Sequence, residues 1–337
     1  GKILAHGRDP YFAGWTDTVQ VDNRRTEARE AMAEILSALA ARCDGVRCDM
    51  AMLVMRDVFT QTWGGEFEPP DAEFWPDAIG QVKEAHPGFL FVAEVYWDLE
   101  YQLQQMGFDY TYDKRLYDRL RGGNPTLARE HIELASLDYQ RHLVRFVENH
   151  DEERAMAAFG PEKGYAVATL ALTLLGLRLL HQGQMVGCRV RLPVQLGRRP
   201  SEPVDRQTKR FYDSLLAALD HPVFHQGQWQ TVEPGEPWPG STAQRNIAAH
   251  LWSLDGEHRL VVANLSSDPA SCRLQMPLPE VSGRTWHLRD LLGPVRYSKA
   301  GNDLGERGLC LDLPGYGYHL FALETSSGDQ PAEDVDS

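Results

Sequence analysis

Three short stretches place acidic side chains where parallel strands would end. Gly45-Val46-Arg47-Cys48-Asp49 carries a carboxylate just past a short apolar run, and Phe89-Leu90-Phe91-Val92-Ala93-Glu94 does the same with a glutamate. Phe146-Val147-Glu148-Asn149-His150-Asp151 delivers three polar groups after a third run. Two carboxyl groups set across a glycosidic bond can cleave it: one attacks the anomeric carbon, and the other, kept protonated, donates to the leaving oxygen. Asp49 and Glu94 fit these roles. Arg47 lies two residues before Asp49, so on a strand both point to one side and the guanidinium can hold and orient the carboxylate. His150 and Asp151 can hydrogen-bond ring hydroxyls and strengthen those bonds as oxocarbenium-like charge develops. Each group alone has a bland alternative: a structural ion pair, a solvated strand end, a turn. Their occurrence in order, on three strands, favours the chemistry.

The elements needed to position them are legible in the pattern. Helical sequence of crossover length separates the strands, so all three can run parallel in one sheet and bring the carboxylates to a common mouth. An opening loop, residues 1–23, holds Tyr11, Phe12 and Trp15, which are expected to pack against the barrel wall rather than stack on a ligand. Helical spacing of Ala28, Met32, Ile35, Leu36 and Leu39 predicts a helix over 26–42, capped by Asp22 or Asn23. Asp71 is a candidate cap for a helix running to about Ala85, and Met52 and Met55 read as core. A short strand over 108–113, helical sequence to about Gln140 broken at Gly122–Pro125, and the strand at Phe146 follow. A helix from Gly160, a strand with its exit turn over 177–184 and a helix over 202–219 complete five βα units. After Phe224 the texture changes. Short alternating runs such as 247–252, 260–265, 286–288 and 316–321, separated by Gly, Pro, Ser and Asp, predict an antiparallel sandwich. The domains read as 1–224 barrel, 225–324 sandwich and 325–337 acidic disordered tail.

Composition bounds the reading. A chain of 337 residues with 42% hydrophobic content is globular and long enough for two domains. A formal net charge of -14 argues against a nucleic-acid surface. Five cysteines at irregular spacing form neither a disulfide framework nor a zinc pattern, so reduced thiols are expected. No apolar run reaches membrane-spanning length and no signal peptide precedes the first element, so a cytoplasmic location is expected. No Gly-x-Gly-x-x-Gly follows a strand, and no cofactor is expected.

The three stretches together resemble the signatures of the alpha-amylase superfamily of glycoside hydrolases and transglycosidases. Gly45–Asp49 is similar to its second signature, Ala93-Glu94-Val95 to its third and Phe146–Asp151 to its fourth. The resemblance covers residues 6–323 and implies a retaining enzyme acting on an alpha-glucan or oligosaccharide. By it Asp49 is the nucleophile, Glu94 the general acid/base and Asp151 the transition-state stabiliser. Arg47, His150, Asn149, Tyr96 and Trp97 are the substrate-binding candidates. The implied fold is an α/β (β/α)8 barrel, incomplete and present from about the fourth strand onward, followed by an all-β sandwich. The family's first signature and first three strands are not found, which implies exposed sheet edges at the Asp49 strand and at Leu179. Residues 1–337 alone are then expected to associate and to lack enzyme-like turnover. Met52, Leu53 and Val54 stand where many amylases carry Ala-x-Lys-His, so no calcium or other metal site is expected. Met185 stands where Gly-Gln-Glu would end. The alternatives are a transglycosidase of the same superfamily and an inactive, truncated or carbohydrate-binding remnant.

Overall fold

The computed structural model describes residues 4–64, 68–278 and 281–326. They fall into two compact units, Gly1–Arg115 with Asp138–Val144, and Leu116–Leu137 with Arg145–Ser337.

The first unit is built on a parallel sheet in the order Gly45–Cys48, Leu90–Ala93, Tyr110–Tyr112 and the strand starting at Leu143. Cys48 lies opposite Ala93 and Ala93 opposite Thr111, so the strands end level and Asp49 and Glu94 follow at one height. Gly45 permits the first pairing: a Cβ there would sit 2.7 Å from the Leu90 carbonyl oxygen. Phe91, Ala93, Val95 and Leu103 are fully buried beneath the strand ends. Trp75, from the helix Trp75–Ala85, packs edge-on against Phe108 and donates its indole N–H to the Ala51 carbonyl at 2.7 Å. Met52 and Met55 are core, as their apolar context predicts.

Several local expectations are corrected in this unit. The opening segment contains an antiparallel pair, His6–Gly7 with Trp15–Val19, and Tyr11 and Phe12 are exposed rather than packed on a wall. The helix Thr26–Ala40 buries Ala33, Leu36 and Ala40 and leaves Met32, Ile35 and Leu39 exposed. Its apolar residues span a wider arc than the packed face, so part of the apolar stripe stays on the surface. None of the three expected caps acts as one. This helix starts after Arg25 and the helix Trp75–Ala85 after Phe74, with no side-chain cap bond at either, so Asn23 does not cap; Asp22 accepts both the guanidinium and the backbone N–H of Arg24, and Asp71 pairs with Arg29. All five cysteines are unbridged; Cys48 and Cys272 are buried, whereas Cys43 and Cys310 are exposed.

The second unit joins helices to β-structure. The strand that leads into it is Leu143–Arg145, three residues earlier than the stretch 146–151 suggests, because its partner ends with Tyr112 opposite Val144. Phe146 to Asp151 therefore lie beyond the strand. The next strand is only Leu177–Arg178, extended by a hydrogen bond from the Leu179 N–H to the Arg145 carbonyl at 2.9 Å. Helices Pro125–Glu133, Gly160–Thr173 and Arg206–Leu219 pack within this unit, the last capped by Asp205, which accepts from the Gln207 and Thr208 N–H groups. After Phe224 come a six-stranded and a three-stranded antiparallel sheet. The six-stranded sheet runs in the order Arg296–Ala300, Thr285–Asp290, Tyr318–Ser326, Glu257–Asn264, Ile247–Leu254 and Gln228–Thr231. Alternate residues Ile247, Ala249 and Leu251 meet Cys272, Leu274, Leu309 and Leu311 in a common core, as the two-residue period requires. Trp252 anchors this region to the helix Gly160–Thr173 by donating its indole N–H to the Thr173 carbonyl at 2.7 Å. Thr325 and Ser326 belong to the last strand; the rest of the expected tail, 327–337, lies outside the described residues. Among the described residues no helix is long and apolar enough to cross a membrane.

Candidate active site

In the first unit Arg47, Asp49 and Glu94 converge at the carboxyl ends of adjacent parallel strands. The Arg47 guanidinium bridges the two acids: Nη1 bonds Asp49 Oδ1, and Nη2 lies 3.0 Å from Glu94 Oε2. The acids differ in environment, for the Asp49 side chain is 77% exposed and that of Glu94 4%. The chain enforces this contrast. After Asp49 the backbone turns through Met50 in the left-handed conformation, φ 44°, which aims the Met50 N–H at Glu94 Oε2, 2.7 Å away. Main-chain bonds lace the same corner, with Glu94 N–H donating to the Cys48 carbonyl and Ala51 N–H to the Glu94 carbonyl, both at 3.0 Å.

Glu94 is thus buried but solvated by protein donors. Tyr96 adds its hydroxyl, which donates to Glu94 Oε1 at 2.7 Å. Burial pushes the Glu94 carboxyl above its ordinary value, although the Met50 N–H, Arg47 and Tyr96 all favour the ionised form. Burial alone would lower Arg47; Glu94, Tyr112 and Asp49 outweigh it and hold the guanidinium charged. The Tyr112 ring, 5.8 Å from the guanidinium carbon, supplies a face to it.

Trp97 and Asp98 follow Tyr96 with consecutive left-handed backbones, each at φ 64°. Asp98 is anchored by Arg115, and half-buried Trp97 meets Tyr11 edge-on with ring centroids 4.8 Å apart. Two aromatic side chains from distant parts of the chain thereby form one surface, of which the sequence pattern singled out Trp97.

Asn149, His150 and Asp151 belong to the second unit. Asn149 is buried, and its side-chain oxygen accepts from the N–H groups of Asp151 and Glu152, both at 2.9 Å. That oxygen shapes the loop itself. His150 Nε2 lies 3.0 Å from Asp151 Oδ2, and both side chains are partly exposed. Together they line an open recess of about 400 Å³ whose other side is Arg191, Pro193, Val194 and Gln195. Beneath them Glu148, wholly buried, contacts Arg154 and His181, and burial pushes its carboxyl up to about 7 against the pull of the Ala155 N–H and Arg154. Burial, Arg154 and His150 lower the pKa of His181.

Tyr112, the Met50 N–H, Tyr11 and Glu148 escape the sequence reading as site groups. Tyr11 had a visible signal, an aromatic in the opening loop whose expected role is packing, and so did Glu148, an acid inside an apolar run that would otherwise be a strand core. Among the described residues no group of three or more His, Cys, Asp or Glu side chains is disposed to hold a metal ion.

No family model matches the chain. It is 26% identical over 277 residues to the alpha-amylase MalA of Haloarcula japonica, covering 79% of this chain and 38% of that protein. It is 21% identical over 217 residues to alpha-amylase 3 of Dictyoglomus thermophilum, covering 60% and 41%. The chain thus spans about two fifths of the length of the curated relatives it matches. Among solved structures, a noncanonic maltogenic alpha-amylase, AmyB of Thermotoga neapolitana, superposes with a TM-score of 0.67 at 19% identity, covering 91% of this chain and 68% of that one. That likeness speaks to the fold.

Proposed function

We propose that this chain, a relative of the alpha-amylase superfamily, acts on alpha-glucosidic bonds of a glucan or oligosaccharide as a retaining glycosidase. One observation carries the reading: a single guanidinium joins an exposed carboxylate and a buried one, and burial pushes the buried carboxyl above its ordinary value. Environments that separate two carboxyl groups are what an acid and a nucleophile need. Asp49, open to solvent and oriented by Arg47, attacks the anomeric carbon. Glu94, whose proton affinity burial raises, gives a proton to the glycosidic oxygen as the C–O bond breaks. The glycosyl ester on Asp49 is then hydrolysed, with ionised Glu94 taking a proton from the attacking water. Trp97 and Tyr11 offer apolar ring faces to the C–H face of a sugar, and Tyr96 tunes Glu94.

The roles of Asp151 as stabiliser and of His150 and Asn149 in sugar binding rest on their motif, with the partial exposure of His150 and Asp151 supporting access. Transfer to a second sugar in place of water would use the same first step.

The test is stereochemical. Residues 1–337 and a form extended upstream are given maltooligosaccharides, and the anomer released is followed by proton NMR. First release of the alpha anomer supports the reading; first release of the beta anomer, or no turnover in either form, overturns it.

A further inference from the structure

From the contacts beneath the recess we infer that Glu148 is a positioning residue: through Ala155 and Arg154 it closes the 148–155 loop and fixes His150 and Asp151. The inference rests on the reading above, in which those two groups face the reacting sugar. Glu148 has no exposed surface, and a buried carboxylate persists only where donors compensate for its lost hydration. Its compensation is local and specific. Oε2 accepts the Ala155 N–H at 2.6 Å, and Oε1 lies 3.0 Å from both Arg154 Nη1 and His181 Nδ1. The bond to Ala155 ties the far end of the loop back to its start. Between these ends Asn149 accepts from the Asp151 and Glu152 N–H groups, so the backbone carrying Asp151 is held from both sides.

Arg154 extends the clamp to the next strand exit, donating from Nη2 to the Gln182 carbonyl at 2.8 Å. Space for it is reserved at Gly183: its φ of +92° suits glycine, and a Cβ there would stand 2.3 Å from Arg154 Nη2. The His181 N–H in turn donates to Gln184 Oε1 at 3.1 Å, and Gln184 Nε2 donates to the Tyr212 hydroxyl at 2.9 Å. An apolar pair of equal volume would join two loops at no desolvation cost. What it would lack is direction, since only hydrogen bonds fix the loop's rotation about its ends.

The experiment removes the clamp without leaving a lone charge. In the double variant Glu148→Met, Arg154→Met, amide hydrogen exchange is read at Asp151, Glu152 and Ala155, with the Ile247–Leu254 strand as a control for the fold of the unit. Exchange at the loop amides is expected to rise about tenfold or more, as loss of a charge-assisted hydrogen bond implies, while the strand keeps its protection. In whichever form turns over, kcat is expected to fall on the order of 10²-fold, with KM little changed and Arg154→Lys intermediate. Unchanged loop exchange, or kcat equal to wild type in the double variant, overturns the inference. If the double variant does not fold, Glu148→Gln, which keeps an acceptor for Ala155 and loses the charge, is read in the same two ways. If wild type shows no glycosidase turnover, the functional reading fails, and the exchange measurement still decides whether the clamp holds the loop.

Discussion

Replacing Arg47 by methionine removes the one group that Asp49 and Glu94 share, and the two halves of that interaction carry different weight. Asp49 is 77% exposed, so its half contributes at most ~1 kcal/mol. Glu94 is 4% exposed, and breaking an ion pair at a buried carboxylate costs about 3–5 kcal/mol. The Met50 N–H and the Tyr96 hydroxyl remain on Glu94, which places the expected destabilisation near the lower end, about 3 kcal/mol at pH 8. Its pH dependence is the signature. Burial already raises the Glu94 pKa in the folded protein, and loss of Arg47, which opposes that shift, raises it further. A carboxyl whose folded pKa is raised contributes stability that is full below its unfolded value, about 4.3, and is lost as pH rises through the folded value. The Arg47→Met penalty should therefore be small near pH 4, where Glu94 is protonated in both proteins, and grow toward pH 8. Urea unfolding of both proteins at the two pH values, followed by tryptophan fluorescence, measures it. An equal penalty at both would refute the claim that Glu94 is the partner that matters.

Tyr96→Phe removes a donor that favours ionised Glu94, so the alkaline limb of the kcat/KM profile, which reports loss of the acid, should move to higher pH; a limb that stays put would remove Tyr96 from the tuning of Glu94. Asp49→Asn should abolish nearly all turnover with the circular dichroism spectrum intact, because an amide cannot form the glycosyl ester; activity within a few-fold of wild type would reassign the nucleophile. Leu53 and Val54 pack against the apolar core of the first unit, so adding a chelator should leave the thermal midpoint where it was, and a drop of many degrees would reveal a calcium site built from other groups.

The pairing of Arg47 with Asp49 was legible because a strand's two-residue period is rigid; the second contact of Arg47, to Glu94, was not, and comes from neighbouring parallel strands ending level. The antiparallel region after Phe224 was legible for the same reason: runs such as 247–252 alternate strictly enough to declare both faces. What sequence could not show were outcomes settled in three dimensions. Asp22 and Asp71 look like helix caps, but the helices start only after Arg25 and Phe74, and Phe146-Val147 looks like strand until its partner stops at Tyr112. The donors that set the state of Glu94 include a backbone N–H, at Met50, which no side-chain pattern advertises. The bond that Asn149 makes from its side-chain oxygen to its own loop is likewise invisible in the motif.

The left-handed backbones at Met50, Trp97 and Asp98 bear on how this site can change over generations. A non-glycine residue in that region carries a conformational penalty on the order of 1–3 kcal/mol, so glycine at Met50 would relieve the turn and raise the stability of the chain. The same change would loosen the turn that aims the Met50 N–H at Glu94. Selection for durability and selection for turnover therefore pull these three codons in opposite directions. A library screened only for heat resistance should enrich glycine or asparagine at all three, and its survivors should be the slower catalysts.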